Sequence, residues 1–168
     1  MSYAADCAYA TPCRKCIHPQ CANYGKKIML YILDKTIITG GNNTLNEQVL
    51  LPNVWQTIHN LRSQGHEFAI AANQGGIEMG FVTERQVVAL MQDAARKIGG
   101  VSAWRYCPHY RKPCDCRKPK PGMIISIAQE LNYNMREVAY IGDQEIDKQA
   151  AQAAGCTFFT AKEFFQWT

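Results

Sequence analysis

Long apolar runs are what this chain lacks most plainly. The longest is Ile28–Leu33, whereas a membrane-spanning helix needs about 20 predominantly apolar residues. No membrane partner is therefore expected. Met1–Cys13 shows no basic start followed by an apolar stretch, the mark of a secretory signal. Strong net charge is absent too: 19% of the residues are charged, an ordinary share, and the net of +4 does not by itself argue for nucleic acid. Repeats and low-complexity linkers are absent. The 168 residues give room for one domain with a sizeable core and not for two. A cytoplasmic protein is the expectation.

Against these absences stand eight cysteines, at 7, 13, 16 and 21, at 107, 114 and 116, and at 156. A secreted scaffold would pair them as disulfides. Without a signal, two tight clusters favour metal instead. Residues 1–26 hold half of the cysteines and no periodic apolar pattern, so they read as an appendage to a domain spanning 27–168. Cys7, Cys13, Cys16 and Cys21 have the spacing of a small zinc knuckle, with His18 as a substitute ligand. Arg14, Lys15, Lys26 and Lys27 around it, with Tyr9 and Tyr24, would suit nucleic acid.

From Lys27 the pattern changes. Residues 28–33 are apolar throughout, as in a strand buried on both faces of a parallel sheet. Val54, Ile58 and Leu61 recur at helical spacing within 51–64, with Pro52 suited to the first turn. FAIAA (68–72) is a second short strand. Thr83 and Gln86 make a capping-box pattern before a helix carrying Val87, Met91, Ala94 and Ile98. A strand near 101–106 is followed by a helix opened by Pro121, a strand at 138–142, a helix over 146–154, and a final strand and short helix. Strands alternating with helices predict an α/β domain with a mostly parallel sheet.

In such sheets ligands bind beyond the carboxyl ends of the strands. Asp34 follows the first strand, Asn73 the second, a cysteine loop the third and Asp143 the fourth. The loop, CPHYRKPCDCRKPKPGM over 107–123, is the densest chemistry in the chain. Cys107, His109, Cys114 and Cys116 supply the ligand set of a closed tetrahedral zinc site, a structural staple rather than a catalytic centre. Arg117, Lys118 and Lys120 follow at once. Cations pinned beside carboxylates suit an anionic, phosphorylated ligand. The bland alternatives are a solvated basic loop, and aspartates that only form turns or cap helices.

The loop resembles the zinc loop of the heptose bisphosphate and histidinol phosphate phosphatases, in the haloacid dehalogenase superfamily. ANQGGIEMGF (72–81), YIGDQEIDKQAAQAAGC (140–156) and LDK (33–35) are similar to its other motifs, so the likeness covers about 27–160. It implies a Rossmann-like, three-layer, capless domain and a magnesium-dependent phosphomonoester hydrolase. It also implies roles. Asp34 is the nucleophile and a magnesium ligand, Asp143 a second ligand, and Asp147 a support of the metal shell. Lys118 steadies the nucleophile, while Asn73, Arg117 and Lys120 bind the phosphorylated small molecule or polynucleotide end.

Two departures stand out. The superfamily's first motif carries a second aspartate as general acid and base, where this chain reads Asp34-Lys35-Thr36. Either Thr36 replaces that aspartate or an Asp-Gly pair has dropped out. The threonine or serine expected before Asn73 is Ala72. Two readings follow: an impaired phosphatase, or a binding protein that keeps the phosphate pocket and has lost catalysis.

Overall fold

Strands buried on both faces need apolar residues at every position, and residues 30–33 and 138–142 are laid down accordingly. The computed structural model describes residues 27–40 and 44–168, so the expected knuckle of Cys7, Cys13, Cys16 and Cys21 lies outside it. The order is β1 (Leu30–Leu33), α1 (Thr36–Thr39), α2 (Val54–Ser63), β2 (Glu67–Asn73), α3 (Glu84–Lys97), β3 (Ala103–Cys107), α4 (Gly122–Glu130), β4 (Val138–Gly142), α5 (Glu145–Ala154), β5 (Thr157–Thr160) and α6 (Ala161–Phe165). Single 3₁₀ turns lie at Leu45–Glu47 and Met135–Glu137.

The strands form one sheet in the order β3-β2-β1-β4-β5, and every neighbouring pair is parallel. Side chains alternate across it. Leu33, Phe68, Ile70, Ala139 and Ile141 pack with Val54 and Ile58 of α2, Val87 and Met91 of α3 and Phe165 of α6. Leu30, Ile32, Ala69, Ala71 and Tyr140 pack on the other face with Ile124 and Ile127 of α4 and Ala150 and Ala151 of α5. Helices on both faces of a parallel sheet make the expected three-layer α/β architecture. The capping box forms as the spacing predicts: Gln86 N donates to Thr83 Oγ1 at 3.2 Å, and Thr83 N to Gln86 Oε1 at 2.8 Å.

One element has no counterpart in the sequence reading. Residues 36–39, Thr-Ile-Ile-Thr, favour a strand by composition but make a helical turn. Thr39 N donates to Lys35 O at 3.2 Å and Gly40 N to Thr36 O at 2.8 Å, which turns the chain sharply out of β1. No helix among the described residues is long and apolar enough to cross a membrane.

β1 is flanked by β2 on one side and β4 on the other, so the chain reverses its direction of growth across the sheet there. A crevice opens at the carboxyl ends of strands at such a switch point. Asp34 leaves β1 at this place and Asp143 leaves β4. Asn73 ends β2 and Cys107 ends β3, on the same edge.

Candidate active site

Lys118 is the centre of the crevice. Its ammonium donates to Asp34 Oδ2 at 2.5 Å, Asp147 Oδ1 at 2.6 Å and Tyr140 Oη at 2.9 Å. An ammonium has three donors, and all three are used. The group is almost sealed: Asp34 is 7% exposed, Lys118 5% and Asp147 1%. Burial pulls the Lys118 pKa down, but Tyr140, Asp34 and Asp147 outweigh it and hold the pKa well above the ordinary lysine value. The residue stays charged.

Each partner is itself held. Asp34 Oδ1 accepts from the Thr36 amide at 2.8 Å, and the Asp34 amide donates to Ile141 O at 3.1 Å, joining the end of β1 to β4. Asp147 Oδ2 accepts from the amides of Asp143 at 3.1 Å and Gln144 at 3.0 Å, so both of its oxygens are engaged. A Cβ on Gly142 would collide with the Asp147 side chain, which is why the strand ends in glycine. Tyr140 Oη donates to Ala71 O at 3.2 Å, and burial raises its pKa far enough to keep it protonated. Asp143 is more open. Burial, then the charges of Asp34 and Asp147, raise its carboxyl above the usual range.

Asn73 reaches Lys118 from β2. Its Nδ2 donates to Lys118 O at 3.2 Å and its Oδ1 accepts from Lys118 N at 3.0 Å. One N–H and one lone pair of the amide are thus engaged on the lysine's backbone, tying the end of β2 to the loop that carries Lys118.

The cysteine loop folds beside this centre. Cys107 Sγ lies 3.6 Å from His109 Nδ1 and 3.7 Å from Cys114 Sγ, and Cys116 Sγ lies 3.4 Å from His109 Nδ1. The ligand atoms of a tetrahedral zinc site bound at about 2.3 Å stand roughly 3.7 Å apart. Cys107 and Cys116 are closer, at 3.0 Å, but all four ligand atoms lie within 4.8 Å of one another and the thiols are free. The donor set and its spacing fit zinc. Of the cations that follow, only Lys118 enters the crevice interior. Arg117 donates Nη1 to His109 O at 2.8 Å and lies over the Tyr110 ring at 5.2 Å. Lys120 donates to Cys114 O and is exposed.

Comparison with known proteins gives the setting for this geometry. The profile of haloacid dehalogenase-like hydrolases matches residues 109–161. The D-glycero-beta-D-manno-heptose-1,7-bisphosphate 7-phosphatase of Pseudomonas putida is 38% identical over 117 residues, 67% of this chain and 67% of that protein. Its counterpart in Pseudomonas aeruginosa is 36% identical over 118 residues, 67% of this chain and 66% of that protein. The crystal structure of D,D-heptose 1,7-bisphosphate phosphatase from B. bronchiseptica, complexed with magnesium and phosphate, superposes with a TM-score of 0.70. It is 30% identical and covers 78% of this chain and 79% of its own. This chain belongs to the haloacid dehalogenase superfamily.

Within that superfamily, the phosphatases are its relatives, and the crevice is the place to look for chemistry. Thr36 stands two residues past Asp34 with its amide on the Asp34 carboxylate. No carboxylate stands at that position. Ala72 is buried, one residue before Asn73. Tyr140 escaped the sequence reading, although a phenol in a strand of aliphatic residues has to find polar partners. So did Glu78, whose carboxylate reaches the cysteine loop; nothing in its local pattern marks it.

Proposed function

We propose that the chain hydrolyses phosphate monoesters through a phosphoryl intermediate on Asp34. One observation carries the reading: a buried ammonium, Lys118, fastened to the carboxylate of Asp34 at the switch point of the sheet. A carboxylate attacks a phosphate ester only if the repulsion between the two anions is offset. Lys118 offsets part of it and fixes the direction of the attacking oxygen. Asp34 then forms an O–P bond while the ester P–O bond breaks, and water hydrolyses the phosphoaspartate in a second step.

Asp34 and Asp143 would hold magnesium, with Asp147 holding the Asp143 loop in place. Carboxylate oxygens are the donors a hard cation takes. Two carboxylates share Lys118, and Asp143 lies within their field, so negative charge is in excess. When bound, the ion would neutralise the phosphate. Cys107, His109, Cys114 and Cys116 would hold zinc and keep the loop folded. Arg117, stacked on Tyr110 at the mouth, is the group we assign to substrate phosphate.

The relatives are named for heptose bisphosphates, which favours a phosphorylated small molecule of sugar phosphate size as substrate. Thr36 and Ala72 favour a second reading, a phosphate-binding protein with little turnover.

The experiment is p-nitrophenyl phosphate hydrolysis with and without magnesium, beside Asp34→Asn and Asp143→Asn. Magnesium-dependent turnover is expected in the native protein alone. Asp143→Asn carries a second expectation. A raised carboxyl pKa contributes stability below its unfolded value and loses it as pH rises through the folded value. At neutral pH the ionised Asp143 therefore opposes folding. Asp143→Asn should raise the melting temperature of metal-free protein while removing turnover. A lower melting temperature, or full activity, would contradict the assignment.

A further inference from the structure

The four ligand side chains of the cysteine loop sit at its base, and its tip, residues 110–112, carries none of them. The backbone amides of that exposed tip take protein acceptors where water would also serve. A single side chain supplies them. Glu78 Oε2 accepts from Tyr110 N at 2.6 Å, Oε1 accepts from Arg111 N at 3.1 Å, and Lys112 N lies 3.2 Å from both oxygens. Three successive amides converging on one anion form a nest, and here the anion comes from the turn after β2. The two segments are joined again nearby: Glu78 N donates to Pro108 O at 3.2 Å and Gln74 N to Cys107 O at 2.8 Å.

Arg117 lies in the seam between them. A Cβ on Gly75 would stand 2.9 Å from Arg117 Nη1, 3.1 Å from Tyr110 Cβ and 3.2 Å from His109 O. Tyr110, over whose ring the guanidinium lies, is also the residue whose amide makes the shortest bond to Glu78. The backbone amide of Tyr110 first, and those of Lys112 and Arg111, hold the Glu78 carboxyl below the usual range. It is therefore an anion at neutral pH, and bonds from N–H groups to an anion are about twice as strong as neutral ones. The charge of Lys112 also lies close enough to favour it.

We propose that Glu78 is a positioning residue for phosphate recognition: zinc fixes the base of the loop, and Glu78 fixes the tip and through Tyr110 places Arg117. The inference rests on the reading of Arg117 as a phosphate-binding group. It divides the loop's order between two fasteners, only one of which is a metal. Residue 78 therefore governs how tightly phosphate is held, not how fast it is transferred.

The test uses the zinc-loaded full chain, with inorganic phosphate as the probe in calorimetry and hydrogen exchange read at residues 110–112. Glu78→Ala is expected to weaken phosphate binding ~10-fold, the scale of outer-shell losses. Glu78→Gln, which keeps one acceptor oxygen, should fall between Glu78→Ala and the native protein. Exchange at 110–112 should quicken in the same order. Zinc should stay bound at its native stoichiometry, and kcat for p-nitrophenyl phosphate should change by no more than about twofold if the site turns over. Gly75→Ala leaves the Glu78 carboxylate in place but presses on Arg117, Tyr110 and His109 O, and should also weaken phosphate binding.

Faster exchange with unchanged phosphate affinity would overturn the proposal, because the tip would then be held without placing Arg117. So would unchanged exchange. Loss of zinc and kcat together in Glu78→Ala would reduce the residue to a structural one. A native protein that binds phosphate but hydrolyses nothing overturns the hydrolase reading alone. One that binds no phosphate overturns this inference.

Discussion

Lys118→Met is expected to cost about 3–5 kcal/mol of stability, the usual loss when one partner of a buried ion pair is removed, and to abolish turnover. Methionine fills much of the same space, so the loss is electrostatic rather than one of packing. Asp34 and Asp147 would remain buried and lose the ammonium they share, and Tyr140 Oη would lose its donor. The sign with pH follows from the raised Lys118 pKa. Its contribution is full below the unfolded lysine value and is lost only as pH rises through the higher folded one, so the native protein should not weaken on this account at neutral or mildly alkaline pH. In Lys118→Met, acid should narrow the deficit, because protonation discharges the stranded carboxylates. Denaturant midpoints in metal-free buffer at neutral and acid pH check both statements. A variant as stable as the native protein would mean that the ammonium does not hold the carboxylates together.

The second large effect concerns the leaving group. On the proposed reading Asp34 is the nucleophile, and the residue two positions on, where the superfamily's acid stands, is Thr36. Aryl phosphates need little proton transfer to depart, whereas alkyl phosphates depend on it. The native protein should cleave p-nitrophenyl phosphate slowly and leave alkyl esters almost untouched. Thr36→Asp should then accelerate alkyl esters by ~10²–10⁴, the usual contribution of a general acid, and aryl esters much less. Residue 36 opens a helical turn and is only half-buried, so the backbone accommodates an aspartate there. Steady-state rates on matched aryl and alkyl esters decide it. Equal acceleration of both would mean that the missing acid is not what limits the reaction.

What was legible in the sequence follows from where the forces are local. Buried parallel strands write themselves as apolar runs, and Leu30–Leu33 and Val138–Gly142 were found for that reason. The cysteine cluster was legible because its ligands lie within ten residues of one another. Thr36–Thr39 was not: its β-branched residues favour a strand, and one short-range and one longer-range bond fold it into a turn. Asp34 Oδ1 takes the Thr36 amide, and Leu51 N donates to Ile38 O at 2.9 Å. The same limit shaped the site. The ends of parallel strands predicted that Asp34, Asp143 and Lys118 share a crevice. The finer assignments depended on contacts between distant residues. Asn73 binds the backbone of Lys118 across 45 positions, and Glu78 the cysteine loop across 32 or more. Lys120 donates to Cys114 O within its own loop, a contact that its sequence position alone does not announce.

The central claim, that Asp34 takes up the phosphoryl group, is tested most directly by trapping it. Protein mixed with magnesium and radiolabelled aryl phosphate, then quenched in acid, can be digested and the label located. Because hydrolysis of the phosphoaspartate also needs a base that Thr36 cannot supply, the intermediate should accumulate. The account predicts label on the peptide containing Asp34, dependent on magnesium and absent from Asp34→Asn. Label on another residue, or none while ester is still consumed, would contradict it.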